Sequence, residues 1–272
     1  MFIARIFNEF MIFSCIGWLY ECTYCTVKEH RWQNRGFLFG PVCPIYGFGA
    51  TFCVIIFGHI INDYGYAYNS IEKWKIFLIC MVGSAIMELL TSYVLERVFH
   101  AAWWDYSDMP LNFQGRICLP ASLGFGVAGV LVVRKIIPMT FRAEGYISPI
   151  ANEIMALLFM AVFAADIVLT VSNLTDLLNK VEGAEESMNA KMQYAYATIE
   201  HGITENQLTE RAREYVSRLN FRQINTLRNM KFRGPNPSKL GVRMKNMVLN
   251  VRELDKIKEI KNLRKRKKEN TH

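Results

Sequence analysis

The sequence predicts an all-α fold: a polytopic membrane helix bundle of about five spans, followed by a soluble helical tail. Three observations carry that prediction. Of the 272 residues, 51% are hydrophobic, more apolar surface than a water-soluble chain of this length hides. Charge-poor stretches recur at the roughly 20 residues that crossing a hydrocarbon layer requires. Charge is also unevenly divided: residues 1–173 hold 11 Lys+Arg and 12 Asp+Glu, whereas residues 174–272 hold 21 and 12. The first part reads as a transmembrane domain and the second as a basic helical tail, in different solvents.

The five stretches lie at roughly 6–25, 41–61, 75–95, 117–137 and 151–173. The fourth is the cleanest, with no charge between Arg116 and Arg134. The others carry polar residues: Glu9 and Glu21 in the first, His59 at the end of the second, Glu88 in the third and Asp166 in the fifth. The first segment lacks a small-residue cleavage site after a short apolar core, so it reads as a span and not as a signal peptide. An odd number of spans places the termini on opposite sides. The positive-inside rule puts the loop holding Lys28, Arg31 and Arg35, the loop between spans three and four, and the tail in the cytoplasm of a cell-membrane protein. Arg134, Lys135 and Arg142 then lie outside, against the rule.

Residues 34–50, NRGFLFGPVCPIYGFGA, organise the chain. Arg35 precedes a backbone that Gly36, Gly40, Pro41 and Pro44 make unsuitable for an ordinary helix start, and the segment then stays free of charge as far as His59. This reads as a loop entering a membrane. A looser echo follows at residues 112–126, NFQGRICLPASLGFG. Gly17 and Glu21 match Gly83 and Glu88, Cys43-Pro44 matches Cys118-x-Pro120, and each copy closes on Gly-Phe-Gly. A two-span unit repeated in the same orientation is the parallel-repeat arrangement of some transporters. The alternative is chance matching of residue types that membrane segments share.

Beyond Asn173 the composition shifts to good helix formers. Leu208, Ala212, Tyr215 and Leu219 line one helix face, GPNPS at 234–238 interrupts, and a second stretch carries Val251, Leu254, Ile257, Ile260 and Leu263 before the basic run RKRKK at 264–268. The tail reads as a helical hairpin or a short coiled coil. Its basic end is expected to meet anionic headgroups or solvent, with no role for nucleic acid.

An ionised carboxylate in hydrocarbon costs several kcal/mol on most accounts, about 3 or more, so one that persists faces protein or water and has a partner. Glu21 and Glu88 occupy matching places, each ahead of a loop that holds an arginine, Arg35 or Arg116. Two Glu and two Arg converging on a polar cavity would serve a substrate or a proton. The competing expectation is an ion pair that only pins helices together. Between spans three and four, Trp103, Trp104 and Tyr106 suit interface anchoring, and Asp105 among them is a further candidate for pairing with a loop arginine. Asp166 faces either a water-filled groove or a partner helix.

Catalytic signatures are absent. The chain contains no G-x-x-x-x-G-K-[ST], H-E-x-x-H, G-x-S-x-G or dinucleotide fingerprint, so a non-enzyme without cofactor is expected. The five His are dispersed, which argues against a metal site. All seven Cys fall within the first 118 residues in apolar surroundings and are expected as free thiols; Cys22 and Cys25 form a C-x-x-C that lacks the second pair of a zinc site.

GWLYE at 17–21, NRGFLFGPVCPIYG at 34–47, the intramembrane Glu88, WWDYS at 103–107 and the N-x-x-G-R-I-C-L run at 112–119 together resemble the type IV ABC-transporter permease family, CmpB-like multi-pass bacterial membrane proteins. The resemblance covers about residues 10–130. It implies a permease membrane subunit in the lipid bilayer, whose ATPase is a separate chain docking on cytoplasmic loops or the tail. Five spans are few for a permease, and a homodimer would supply ten. The rival reading is a membrane scaffold whose helical tail recruits a partner; an embedded enzyme ranks third.

Overall fold

The computed structural model describes residues 2–30, 34–60, 70–144, 146–198, 205–232 and 238–250. Among them the chain is helical almost throughout: α1 (Phe2–Glu29), α2 (Pro44–Cys53), α3 (Lys73–Phe99), α4 (Leu119–Leu131), α5 (Ile137–Glu144), α6 (Pro149–Thr198), α7 (Glu205–Arg218), α8 (Phe221–Asn229) and α9 (Lys239–Leu249). Strands are confined to two antiparallel pairs of two-residue segments, β1 (Ala101–Ala102) with β4 (Lys231–Phe232) and β2 (Asn112–Phe113) with β3 (Ile117–Cys118). The all-α membrane bundle is the observed class. The expected Val251, Leu254, Ile257, Ile260 and Leu263 stripe and the RKRKK run lie outside the described residues.

By length and composition, four described stretches can cross a membrane: Phe2–Val27, Lys73–Phe99, Leu119–Ala143 and Pro149–Gly183. The expected span at 41–61 differs. Among the described residues its helix begins at Pro44, with the apolar part given by Pro44–Gly58, and the end of the expected span lies outside the described residues. The residues before it, Gly36 to Cys43, form a loop folded against other helices.

Two compact units divide the chain, one comprising Met1–Val94 with Trp104–Val168 and the other Leu95–Trp103 with Leu169–His272. In the first unit, α1 and α2 lie against each other at glycines. A Cβ on Gly17 would overlap the Tyr46 ring, and one on Gly47 would come 2.6 Å from the Phe10 carbonyl oxygen. Between helices in lipid there is no hydrophobic drive to associate, so such close backbone approach is what holds them. α2 runs into a π-helical segment, Val54–Ile60, and α4 into another, Val132–Ile136. Both feed one buried cluster, in which Val54 and Phe57 meet Val133 and Ile137 together with Phe13 and Ile76. α2 and α4 also begin alike, each with a cysteine N-cap, Cys43 or Cys118, and a proline in the first turn. Proline is tolerated there because its missing N–H has no intrahelical partner to lose.

In the second unit α7, α8 and α9 form a small helical cluster. Ala212, Val216 and Leu219 are buried along α7, as are Leu227 on α8 and Leu240, Met244 and Val248 on α9. A capping box starts α8: the Asn220 side chain accepts from Gln223 N and the Gln223 side chain accepts from Asn220 N. Gln223 Nε2 then donates to Asp176 Oδ2 at 2.6 Å, fixing α8 to the later part of α6.

Candidate functional site

The loop at 34–43 places several of its backbone groups against partners from other elements. Asp166, near the middle of the apolar stretch of α6, accepts from Phe39 N at 3.2 Å through Oδ1 and from Gly40 N at 2.9 Å through Oδ2. Asn34 Nδ2 donates to the Phe39 carbonyl at 3.1 Å, while Asn34 Oδ1 accepts from Trp18 Nε1 at 2.7 Å. Cys43 N donates to the Ser14 carbonyl at 3.0 Å and Val42 N to the Gly40 carbonyl at 2.7 Å. Non-helical backbone at membrane depth survives only when protein satisfies it. Gly40 is required for close approach, since a Cβ there would lie 2.8 Å from Asp166 Oδ2, and Gly36 stands at φ +119°, where other residues are strained. Asp166, for which a groove or a partner helix was expected, is thus the receptor for this loop.

The matching loop of the second half is a β-hairpin. Gln114 and Gly115 both take positive φ, 53° and 64°, and Arg116 N donates to the Phe113 carbonyl at 3.0 Å, as a type I′ turn requires. Arg116 is buried, with 7% exposure. Its Nη1 donates to Ser92 Oγ at 3.0 Å, its Nε to Gln114 Oε1 at 3.3 Å, and its guanidinium lies 4.0 Å from the Tyr93 ring centroid. The Arg116 carbonyl accepts from Trp104 Nε1 at 2.9 Å. Arg116 therefore fastens the hairpin to α3.

The two carboxylates sit within the same unit. Glu21 Oε1 accepts from the Tyr46 hydroxyl at 2.5 Å, and Glu88 Oε1 accepts from the Tyr106 hydroxyl at 2.9 Å. Glu88 is 5% exposed, and its Oε2 is buried without a hydrogen-bond partner. The Tyr46 ring stands 6.1 Å from that of Phe125 on α4, so α1, α2 and α4 meet at Glu21. Burial, and then the charge and hydrogen bond of Glu88, push the Tyr106 phenol far above its ordinary value, which keeps it a proton donor.

Among the described residues neither carboxylate makes an ion pair with Arg35 or Arg116. The backbone of Arg35 joins the cysteine cluster instead, its N donating to Cys22 Sγ at 3.3 Å and its carbonyl accepting from Cys43 Sγ at 3.9 Å. The seven cysteines are free thiols. Asp105 Oδ1 accepts from Ser107 N at 3.0 Å and from Ser107 Oγ at 2.5 Å, at an exposed turn. Of the aromatic trio, Tyr106 turns to Glu88 and Trp104 to the Arg116 carbonyl, while Trp103, in the second unit, is buried edge-on to Phe99. Two apolar grooves, of about 350 Å³ and about 570 Å³, flank Val82 and Ile86 on α3 and do not include the carboxylates. Among the described residues, no group of three or more His, Cys, Asp or Glu could hold a metal.

Sequence reasoning singled out both carboxylates and read Tyr106 as an interface anchor, but it assigned neither Tyr46 nor Tyr106 to a carboxylate. One signal was available: a glycine one turn before Glu21 leaves room for a large side chain beside the carboxylate, and Tyr46 fills it.

Four described helices of this length and apolarity define the class, a multi-span helical membrane protein. The chain belongs to the family described as "Putative ABC-transporter type IV", whose model matches residues 8–171. No curated protein and no solved structure matches it.

Proposed function

We propose that the chain is the permease-type membrane subunit of an ABC transporter, working with a separate ATPase, and that Glu21 and Glu88 mark its substrate or proton pathway. The observation that supports the reading is that two carboxylates on different spans, Glu21 and Glu88, each turn to a tyrosine hydroxyl of the protein and accept a hydrogen bond from it. An intramembrane acidic residue that faces protein and not lipid is a candidate functional site by default. Membership of an ABC-transporter-type family supports the ATPase partner. In this reading the membrane domain is residues 1–173, residues 174–272 form a cytoplasmic tail at the cell membrane, and two copies associate. Arg35, Asp105 and Arg116 border the pathway from the loops, with Arg116 acting by positioning the hairpin. Trp104 supports that hairpin through the Arg116 carbonyl, and Trp103 serves as an interface anchor.

The folded helical cluster of the second unit favours one alternative, a membrane scaffold that recruits a partner through its tail. One experiment separates the two. The intact chain is purified in mild detergent, and co-purifying ATP hydrolysis is assayed in proteoliposomes. The permease reading expects an associated ATPase whose hydrolysis falls in the Glu21→Gln, Glu88→Gln double variant while the complex stays assembled. Partner capture that needs the tail and ignores both substitutions contradicts it and favours the scaffold.

A further inference from the structure

α6 leaves the apolar layer at a sharply marked place. Val162, Val168 and Leu169 are exposed apolar side chains, whereas beyond Asn173 the apolar Leu174, Leu177 and Val181 are buried and the exposed positions, Thr175, Asp176 and Lys180 among them, are polar. α8 is fastened at that exit: Asn220 Nδ2 donates to Asn173 Oδ1 at 3.1 Å, and Gln223 holds Asp176. The far end of the same segment is fastened at a second exit. Exposed apolar residues on α3 stop at Val98, and just past that helix Ala101 and Ala102 pair with Phe232 and Lys231 of β4. α8, about 13 Å long at 1.5 Å per residue, therefore bridges the ends of two spans within the second unit.

The cluster covers one face of α8, burying Gln223, Thr226 and Leu227, and leaves the other open. On the open face Phe221 is 82% exposed, Arg222 is exposed, and Ile224 lies one turn on, half-buried. A single exposed phenylalanine calls for no explanation by itself, but this one starts a helix pinned at the level where two spans emerge. The charge around it is of one sign: from Tyr215 to Arg252 the chain holds nine Lys+Arg and no Asp or Glu. Two acids flank the segment and both are paired, Asp176 with Lys180 and Glu214 with Arg218, each at 2.6 Å. Apolar side chains and cations together at that depth match the acyl boundary and the phosphate layer of an anionic leaflet, which an acidic protein surface would match in charge alone.

We propose that α8 is an interfacial helix, its face of Phe221, Arg222 and Ile224 seated in the headgroup layer of an anionic bilayer, so that the helical cluster rests on the membrane that α3 and α6 cross. The inference needs the chain to span a membrane and is independent of the permease reading.

The test is site-specific photocrosslinking of the full-length chain in nanodiscs of phosphatidylcholine and phosphatidylglycerol in equal parts. The photoreactive p-benzoylphenylalanine replaces Phe221, and the adducts are read by mass spectrometry. Because Phe221 is exposed, the replacement leaves the buried face of α8 intact. A reference chain carries the same group in place of Glu182, an exposed residue nine positions past Asn173 and so about 13 Å farther along α6. Position 221 is expected to give phospholipid adducts on the order of tenfold more often than position 182, and to take phosphatidylglycerol over phosphatidylcholine by about fivefold. Arg222→Glu is expected to lower that preference by about twofold or more. Lipid adducts no more frequent at 221 than at 182, adducts to a second polypeptide in place of lipid, or a headgroup preference that is missing or that Arg222→Glu leaves unchanged would each overturn the proposal.

Discussion

The first half of the membrane unit, α1 with α2, and the second, α3 with α4, begin from similar sequence and reach the same local devices by different tertiary means. Each places a glycine ahead of a carboxylate, follows it with an arginine-bearing loop, and starts the next helix with a cysteine cap and a proline. Yet Gly17 lies under Tyr46, whereas a Cβ at Gly83 would meet nothing within 4 Å. The first loop is held from outside its own half, by Asp166 on α6, and the second is held from within, by Arg116 against Ser92 and Tyr93. Glu21 takes its hydroxyl from the helix that follows, Glu88 from the loop. Similar motifs thus fix where a polar group stands; what meets it depends on the neighbours.

The largest test of this comparison sets the two arginines against each other. Arg116→Ala strips a buried side chain of its hydrogen bonds and ring contact and is expected to cost about 3 kcal/mol, read as a lower unfolding midpoint in detergent. Arg35→Ala should stay within about 0.5 kcal/mol. Equal losses would erase the distinction between a loop held by its arginine and one held by Asp166. Next come the matched glycines. Gly17→Ala forces a methyl against Tyr46, at about 2 kcal/mol, while Gly83→Ala should be neutral or mildly stabilising, because glycine within a helix costs about 0.5–1 kcal/mol relative to alanine.

Much of the architecture could be read in advance, and the reasons that the rest could not are local. Hydropathy located the stretches at 6–25, 75–95, 117–137 and 151–173 because length and apolarity suffice for a helix that crosses alone. It placed the start of the second stretch at residue 41, three residues ahead of the helix at Pro44, and did not foresee that the preceding loop spends its backbone groups on Asp166, Asn34 and Ser14. That capture joins residues 126 or 127 positions apart, and no local pattern announces it. At the carboxylates, charge complementarity argued for arginine, yet a phenol is a cheaper neighbour: it donates a hydrogen bond without bringing a second ion out of water. Of the expected Leu208, Ala212, Tyr215 and Leu219 face, Ala212 and, just past α7, Leu219 are buried and Tyr215 is half-buried beside the buried Val216, while the side chain of Leu208 lies outside the description.

Smaller effects sharpen the picture. Asp166→Asn keeps one acceptor oxygen, loses the charge and should cost about 1.5 kcal/mol, with faster hydrogen exchange at the Phe39 and Gly40 amides and none at the Arg116 amide of the hairpin. Tyr106→Phe should cost about 1 kcal/mol at neutral pH. Its pH dependence has a definite sign. The folded state raises the phenol above its ordinary value near 10, so stability is fully present below about pH 10 and falls as pH rises beyond it, where the unfolded chain ionises first. The variant should lose part of that alkaline decline; an unchanged alkaline profile would remove Tyr106 from the buried site.

The most direct measurement is a set of double-mutant cycles on unfolding in detergent, pairing Glu21→Gln with Tyr46→Phe and Glu88→Gln with Tyr106→Phe, against Glu21→Gln with Arg35→Ala and Glu88→Gln with Arg116→Lys. Coupling of about 1 kcal/mol in each tyrosine cycle, and within about 0.3 kcal/mol of zero in each arginine cycle, is the predicted result. Strong coupling to the arginines and none to the tyrosines would contradict it.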